Sequence, residues 1–425
     1  MRRIAAGVVA FALLAAGCGG ASQAVRQVPE SAPPAPAASV QPAPQPTPPS
    51  SPPPPSPSPA PALPGNADEL RILKLAELRT ALEAYLNAEP TAPAKERLAA
   101  LLDRWGVVGQ QLEAVTTIPL AEADLDGDGT TELITVLHTR GDWKSVPTGA
   151  AFVISRRDGQ YRVDQSPSPP EAYLDGVALV AANTDLTGDG HPDIVWVARD
   201  HGAHTTSLRV LVSTWKPGAV ETAGDLFTTT AQLRLEGKDL LLTGGTVSSV
   251  GAGASQRAST GRYRFMSGAL KLVDRRFEPS EFGYHRLLDG MNEEVFGRDA
   301  EARAFYRSVL EPGRAALPPE QLKPEWVGRF GPAVTELARF RLGLSLLRSG
   351  DKAGARQVLA GAAGPYAGLA QTLSEAADID QGCRAAAAWA LNDAAFLGEL
   401  NAPFGYNSIR WTQYDLCARA VPGTN

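Results

Sequence analysis

The chain is poor in cysteine, methionine and histidine, and it has almost no long apolar sequence. Of 425 residues only three are Cys, three Met and five His. Cys18 stands alone near the start, and Cys383 and Cys417 lie far down the chain. One apolar run stands out, residues 4–16. It falls short of the ~20 residues that a membrane-spanning helix needs, and no second run of that length follows, so no other span is expected. Basic runs are also missing. The 40 Lys and Arg are outnumbered by 46 Asp and Glu, for a net charge of −6, so nucleic acid is not an expected partner. There is no G-x-S-x-G elbow, no phosphate-cradling P-loop and no H-E-x-x-H, so no catalytic residue is assigned and no enzyme class is indicated.

What is present begins at the N-terminus. Arg2 and Arg3 precede the apolar run, which closes with Leu14-Ala15-Ala16-Gly17-Cys18. A positive start, a short apolar stretch and small residues at its end form an export signal. The end resembles the lipobox of bacterial lipoproteins, with Ala15 where Leu is more usual. The resemblance implies that residues 1–17 are removed as a signal peptide and that Cys18 carries a lipid. The mature chain is then exported and held on a membrane of the bacterial cell envelope. The other reading is an ordinary signal peptide with an incidental cysteine. Residues 18–65 form the next segment, and 17 of the 35 prolines fall between positions 29 and 64. Such a stretch lacks backbone donors and apolar area, so it reads as a polyproline II tether rising ~3.1 Å per residue.

The body divides by texture into three regions, an α+β multidomain organisation. Residues 66–106 are helical, with Leu70, Leu73, Leu78, Leu82, Tyr85 and Leu86 at three- and four-residue steps and a break at 89–93. Residues 107–278 read as an antiparallel β region. Its candidate strands are 133–138, 151–155, 161–163, 194–199, 208–215, 231–235, 240–243, 261–265 and 270–274, with hairpin turns at 156–159, 236–238 and 267–268. Residues 279–425 are Ala-rich and helical.

Two acidic loops each directly precede a candidate strand. The first is Asp124-Leu-Asp126-Gly-Asp128-Gly-Thr130-Thr-Glu132, and the second is Asp185-Leu-Thr187-Gly-Asp189-Gly-His191-Pro-Asp193. Oxygen side chains at loop positions 1, 3, 5 and 9, with Gly at 6, suit a hard cation such as Ca²⁺. Position 12, where an EF-hand needs a bidentate Glu, is Thr135 or Trp196, so that reading fails. The pattern resembles the FG-GAP (VCBS-like) repeat. The resemblance implies side-chain ligands at Asp124, Asp126, Asp128 and Glu132, with a carbonyl from Thr130. In the second loop it implies Asp185, Thr187, Asp189 and Asp193, with a carbonyl from His191. Glu132 replaces the usual Asp, and Thr187 weakens the second site. The region around 244–255 lacks an acidic loop, so a short, incomplete propeller-like array is expected, with Ca²⁺ in a structural role. An Asp/Gly turn that binds nothing is the plainer alternative.

In the helical region Gly290, Gly297, Ala302 and Tyr306 align with Gly343, Gly350, Ala355 and Leu359. The match resembles the tetratricopeptide repeat, with residues 312–332 as an insertion. A plain α-hairpin bundle is the alternative. Phe404, Tyr406, Trp411 and Tyr414 could cover the end of the stack. In an exported protein Cys383 and Cys417 read as a disulfide or, failing that, as buried thiols. His201 and His204 offer a zinc-like pair, against a solvated turn. The expected function is a membrane-anchored binding or scaffolding module that meets a protein partner through its helices. The alternative is an extracytoplasmic hydrolase acting on an envelope or extracellular polymer.

Overall fold

The computed structural model describes residues 62–72, 74–107, 111–112, 115–139, 148–167, 174–201, 206–229, 231–245, 257–318, 322, 324–401 and 410–422. The signal segment, Cys18 and the tether up to residue 61 lie outside these residues, as do His204, Phe404, Tyr406 and most of 244–255. All the described residues belong to one compact unit, Ser58–Asn425. No helix among them is long and apolar enough to cross a membrane.

Three helices open the unit: α1 (Ala67–Ile72), α2 (Leu75–Ala88) and α3 (Ala94–Arg104). The Asn66 side-chain oxygen caps α1, accepting from the N–H groups of Asp68 and Glu69. Leu78, Leu82 and Leu86 of α2 and Leu98, Leu101 and Leu102 of α3 are buried against the first sheet. Asn87 fixes the approach: its amide donates to the Tyr161 carbonyl at 2.9 Å and its oxygen accepts from the Tyr161 N–H at 2.8 Å.

A short hairpin, β1 (Gln111–Leu112) and β2 (Val115–Thr116), leads into three four-stranded antiparallel sheets. The first is β3 (Ala121–Ala123), β4 (Glu132–Thr139), β5 (Thr148–Arg157) and β6 (Gln160–Gln165). The second is β7 (Leu174–Thr184), β8 (Asp193–His201), β9 (Thr206–Lys216) and β10 (Ala219–Thr229). The third is β11 (Ala231–Glu236), β12 (Asp239–Gly245), β13 (Ala258–Met266) and β14 (Ala269–Phe277). In each sheet spatial order follows chain order. Each is a meander built by local hairpins.

The period of two along a strand decides how the sheets stack. Leu133 and Leu137 of β4 face the helices, while Ile134 and Val136 face the second sheet. There they meet Trp196 and Ala198 of β8 with Leu211 and Trp215 of β9. The alternate residues Val195, Val197, Val210 and Val212 pack instead against Leu233, Leu240 and Leu242 of the third sheet. The second sheet is therefore covered on both faces. That is why residues 194–198 read as one continuous apolar run. At the Asp158-Gly159 and Ser267-Gly268 turns both residues have positive φ, the geometry of a tight two-residue hairpin.

Every candidate strand lies inside one of these strands. Strands β1, β2, β3, β7 and β10 went unmarked. β7 and β10 are the edges of the second sheet, and bulges near Ala181 and Gly224 interrupt their register.

The helical region comprises α4 (Gly283–Val295), α5 (Asp299–Val309), α6 (Pro324–Arg348), α7 (Lys352–Ala360), α8 (Ala367–Ser374), α9 (Ile379–Asn392) and α10 (Ala394–Asn401). The two aligned stretches are both helical hairpins, α4–α5 and α6–α7. In each, a glycine with positive φ makes the turn, Gly297 or Gly350. In each, a glycine on the first helix receives a large side chain of the second. A Cβ on Gly290 would lie 2.4 Å from Tyr306 Cε1, and one on Gly343 would lie 2.6 Å from Leu359 Cδ2. The end of the stretch read as an insertion, including Pro332, forms the first turns of α6.

The C-terminal segment folds back over this bundle. Trp411 is buried and its indole N–H donates to the Tyr284 hydroxyl at 3.0 Å, while Tyr414 is 74% exposed. Cys383 on α9 and Cys417 are joined in a disulfide, with Cα atoms 5.9 Å apart.

Candidate metal centre

Both acidic loops are the connectors from the first to the second strand of a sheet. The first joins β3 to β4 and the second joins β7 to β8. Each is curled by its own side chains. In the first loop Asp124 accepts from the N–H of Gly127 at 2.8 Å and of Gly129 at 3.0 Å. Asp126 accepts from Asp128 N–H at 3.2 Å, and Asp128 from Thr130 N–H at 2.6 Å. Gly127 and Gly129 have φ of +75° and +85°, which lets the chain wind tightly.

Asp124, Asp126 and Asp128 converge, each offering a carboxylate oxygen, and these atoms all lie within 4.8 Å of one another. Among the described residues this is the one such group of acidic, His or Cys side chains. Three oxygen donors at that spacing could hold an oxygen-seeking divalent cation. Thr130 is at the exposed end of the loop.

Glu132 does not join the group. It is 2% exposed and turns inward, where its Oε2 accepts from the buried Leu125 N–H at 2.9 Å. Burial, and then the nearby negative charges of Asp126, Asp128 and Asp124, push its carboxyl up to about 7.

The second loop repeats the frame with a different filling. Asp193, 1% exposed, takes the place of Glu132 and accepts from the N–H groups of Leu186 at 2.6 Å and Thr187 at 2.7 Å. Burial raises its carboxyl above the usual range. The Thr187 hydroxyl donates to Asp193 at 3.2 Å, so it is spent inside the turn. Asp185 accepts from Gly188 N–H at 2.6 Å, and Asp189 accepts from His191 N–H at 2.9 Å. The two loops are neighbours, since a Cβ on Gly127 would lie 3.0 Å from His191 Cε1.

The sequence pattern missed the role of position 9 in both loops. Glu132 and Asp193 act as acceptors for the position-2 N–H, and the signal for it was the buried Leu125 and Leu186 at position 2. His201 closes β8, but His204 lies outside the described residues. No protein-family model matches this chain, and no curated protein matches it.

Proposed function

We propose that the chain is an envelope lipoprotein, anchored through Cys18, whose β region is stiffened by Ca²⁺ and whose helical region binds a protein partner. The convergence of Asp124, Asp126 and Asp128 at a first-to-second-strand connector supports its calcium part, and the Leu14–Cys18 sequence supports its anchor. Three carboxylates so close repel one another, and a divalent cation turns that repulsion into cohesion. Three meanders, two of them with an acidic connector at the same place, support an FG-GAP-like array of three units. The matched glycine-to-side-chain packing in α4–α5 and α6–α7 supports tetratricopeptide-like hairpins.

A groove of about 580 Å³ gives the helical region a surface for a partner. Leu347, Leu359, Leu373 and Ile379 line it, with Lys352 and Arg356 beside them. It combines an apolar lining with charge, as peptide-binding grooves do.

The test is metal content and thermal unfolding with Ca²⁺ and with chelator. The reading expects bound calcium, a melting temperature that rises with Ca²⁺, and loss of that response in Asp128→Ala. A wild-type chain free of calcium, with the same melting temperature under both conditions, overturns it.

A further inference from the structure

In the third sheet the place of the acidic loop is taken by the turn between β11 and β12. All three connectors lead into an acidic residue that begins the second strand: Glu132, Asp193 or Asp239. The third connector has only Gly237 and Lys238, and no carboxylate. Its ammonium points away from its own sheet. Lys238 Nζ lies 2.9 Å from Asp185 Oδ2, at position 1 of the second loop. A Cβ on Gly188, in the same loop, would lie 3.8 Å from that nitrogen.

We propose that Lys238 is the resident cation of the second acidic loop, supplied by the third sheet, so that the negative charge of this loop is partly offset within the chain and a divalent ion is excluded. Three observations converge on it. The second loop has one carboxylate fewer than the first, because Thr187 replaces Asp126 and its hydroxyl is turned to Asp193. A single ammonium carries one positive charge fewer than a divalent ion, in step with the one carboxylate fewer. The contact crosses between sheets, so the pair also ties the third sheet to the second, beside Leu240 and Val195 in their shared core. Among the described residues no Lys or Arg forms an ion pair with the converging carboxylates of the first loop, which leaves that loop to an ion from solution. Being tethered, the Lys238 ammonium competes at high effective concentration with any free ion.

The inference rests on the calcium reading only for the first loop, and the experiment separates the two. On the full chain in detergent, calcium per chain is measured by equilibrium dialysis for wild type, Lys238→Gln and Asp185→Asn. A denaturation cycle adds the double variant. Expected are one ion for wild type, two for Lys238→Gln, and non-additive stability losses. Lys238 is largely exposed, so each single substitution should shift the folding equilibrium by about two- to fivefold, and the double by no more than either. Additive losses, two ions in wild type with Lys238 in place, or a Lys238→Gln chain that takes up no additional ion all overturn the inference. No ion in wild type together with a coupled cycle and one ion in Lys238→Gln overturns the calcium reading of the first loop and upholds Lys238.

Discussion

Arg341 on α6 and Glu294 on α4 form an ion pair at 2.5 Å with side chains 0% and 1% exposed. The same guanidinium donates to the carbonyls of Leu416 at 3.1 Å and Ala418 at 2.8 Å. One buried charge thus ties two helices of different hairpins to the C-terminal segment. Removing Arg341 leaves the buried Glu294 with only the longer contact to Arg348 at 3.6 Å. Arg341→Ala is expected to cost about 3–5 kcal/mol, more than Arg341→Met combined with Glu294→Leu. Urea unfolding of the three chains checks the order.

The Cys383–Cys417 bridge closes a segment of 34 residues. In the chain-entropy account a loop of that size contributes on the order of 3–4 kcal/mol by restricting the unfolded state. Cys383→Ala with Cys417→Ala should lower the melting temperature to about that of the reduced wild type. Adding reductant to the variant should change nothing.

Helix glycines are not equivalent here. Gly290→Ala pushes a methyl into Tyr306 and should destabilise by about 1–3 kcal/mol. Gly328→Ala on α6 meets nothing within 4 Å and should stabilise by roughly 0.5–1 kcal/mol. Thermal melts of both variants test the contrast.

Asp239 sets an acid limit. Arg264 and Arg262 hold its carboxyl down at about 2, against 3.8 for the free group. As pH falls, the unfolded chain takes up this proton first. The Asp239 contribution is therefore present above pH 3.8 and lost as pH falls through about 2. Asp239→Asn should flatten the fall in stability over that interval, as read by unfolding at stepped pH.

Loading with calcium should protect the first loop selectively. Proteolysis between β3 and β4 is expected to slow on adding Ca²⁺ in wild type and to stay unchanged in Asp126→Asn. Peptide mapping of the cleavage sites provides the check.

Much of the fold was legible because its contacts are local. Each sheet is a chain-order meander, and hairpin signals such as Asp158-Gly159 mark its turns. The double face of β8 was legible as an unbroken apolar run. Strands β7 and β10 were not, because bulges near Ala181 and Gly224 break their period. At the candidate site the spacing of Asp124, Asp126 and Asp128 already implied convergence, since the curl of the loop is made within it. The inward turn of Glu132 was legible only in part: Leu125 at position 2 marks a buried residue, but that its N–H needs an acceptor follows only once β4 packs on the second sheet. Lys238 was marked only as part of a hairpin turn.

By itself, the sequence determined what depends on short range: the acidic loops, the alternation along each strand, and the glycine pairs of the helical hairpins. Only the tertiary structure decided which sheet lies against which, and so which charge meets which carboxylate. Arg341 reaches Glu294, and Lys238 reaches Asp185, across distances in the chain that no local pattern records. Those meetings exist because apolar faces stack the sheets and helices in one order, and the charged ends must then find partners in the places that packing leaves them.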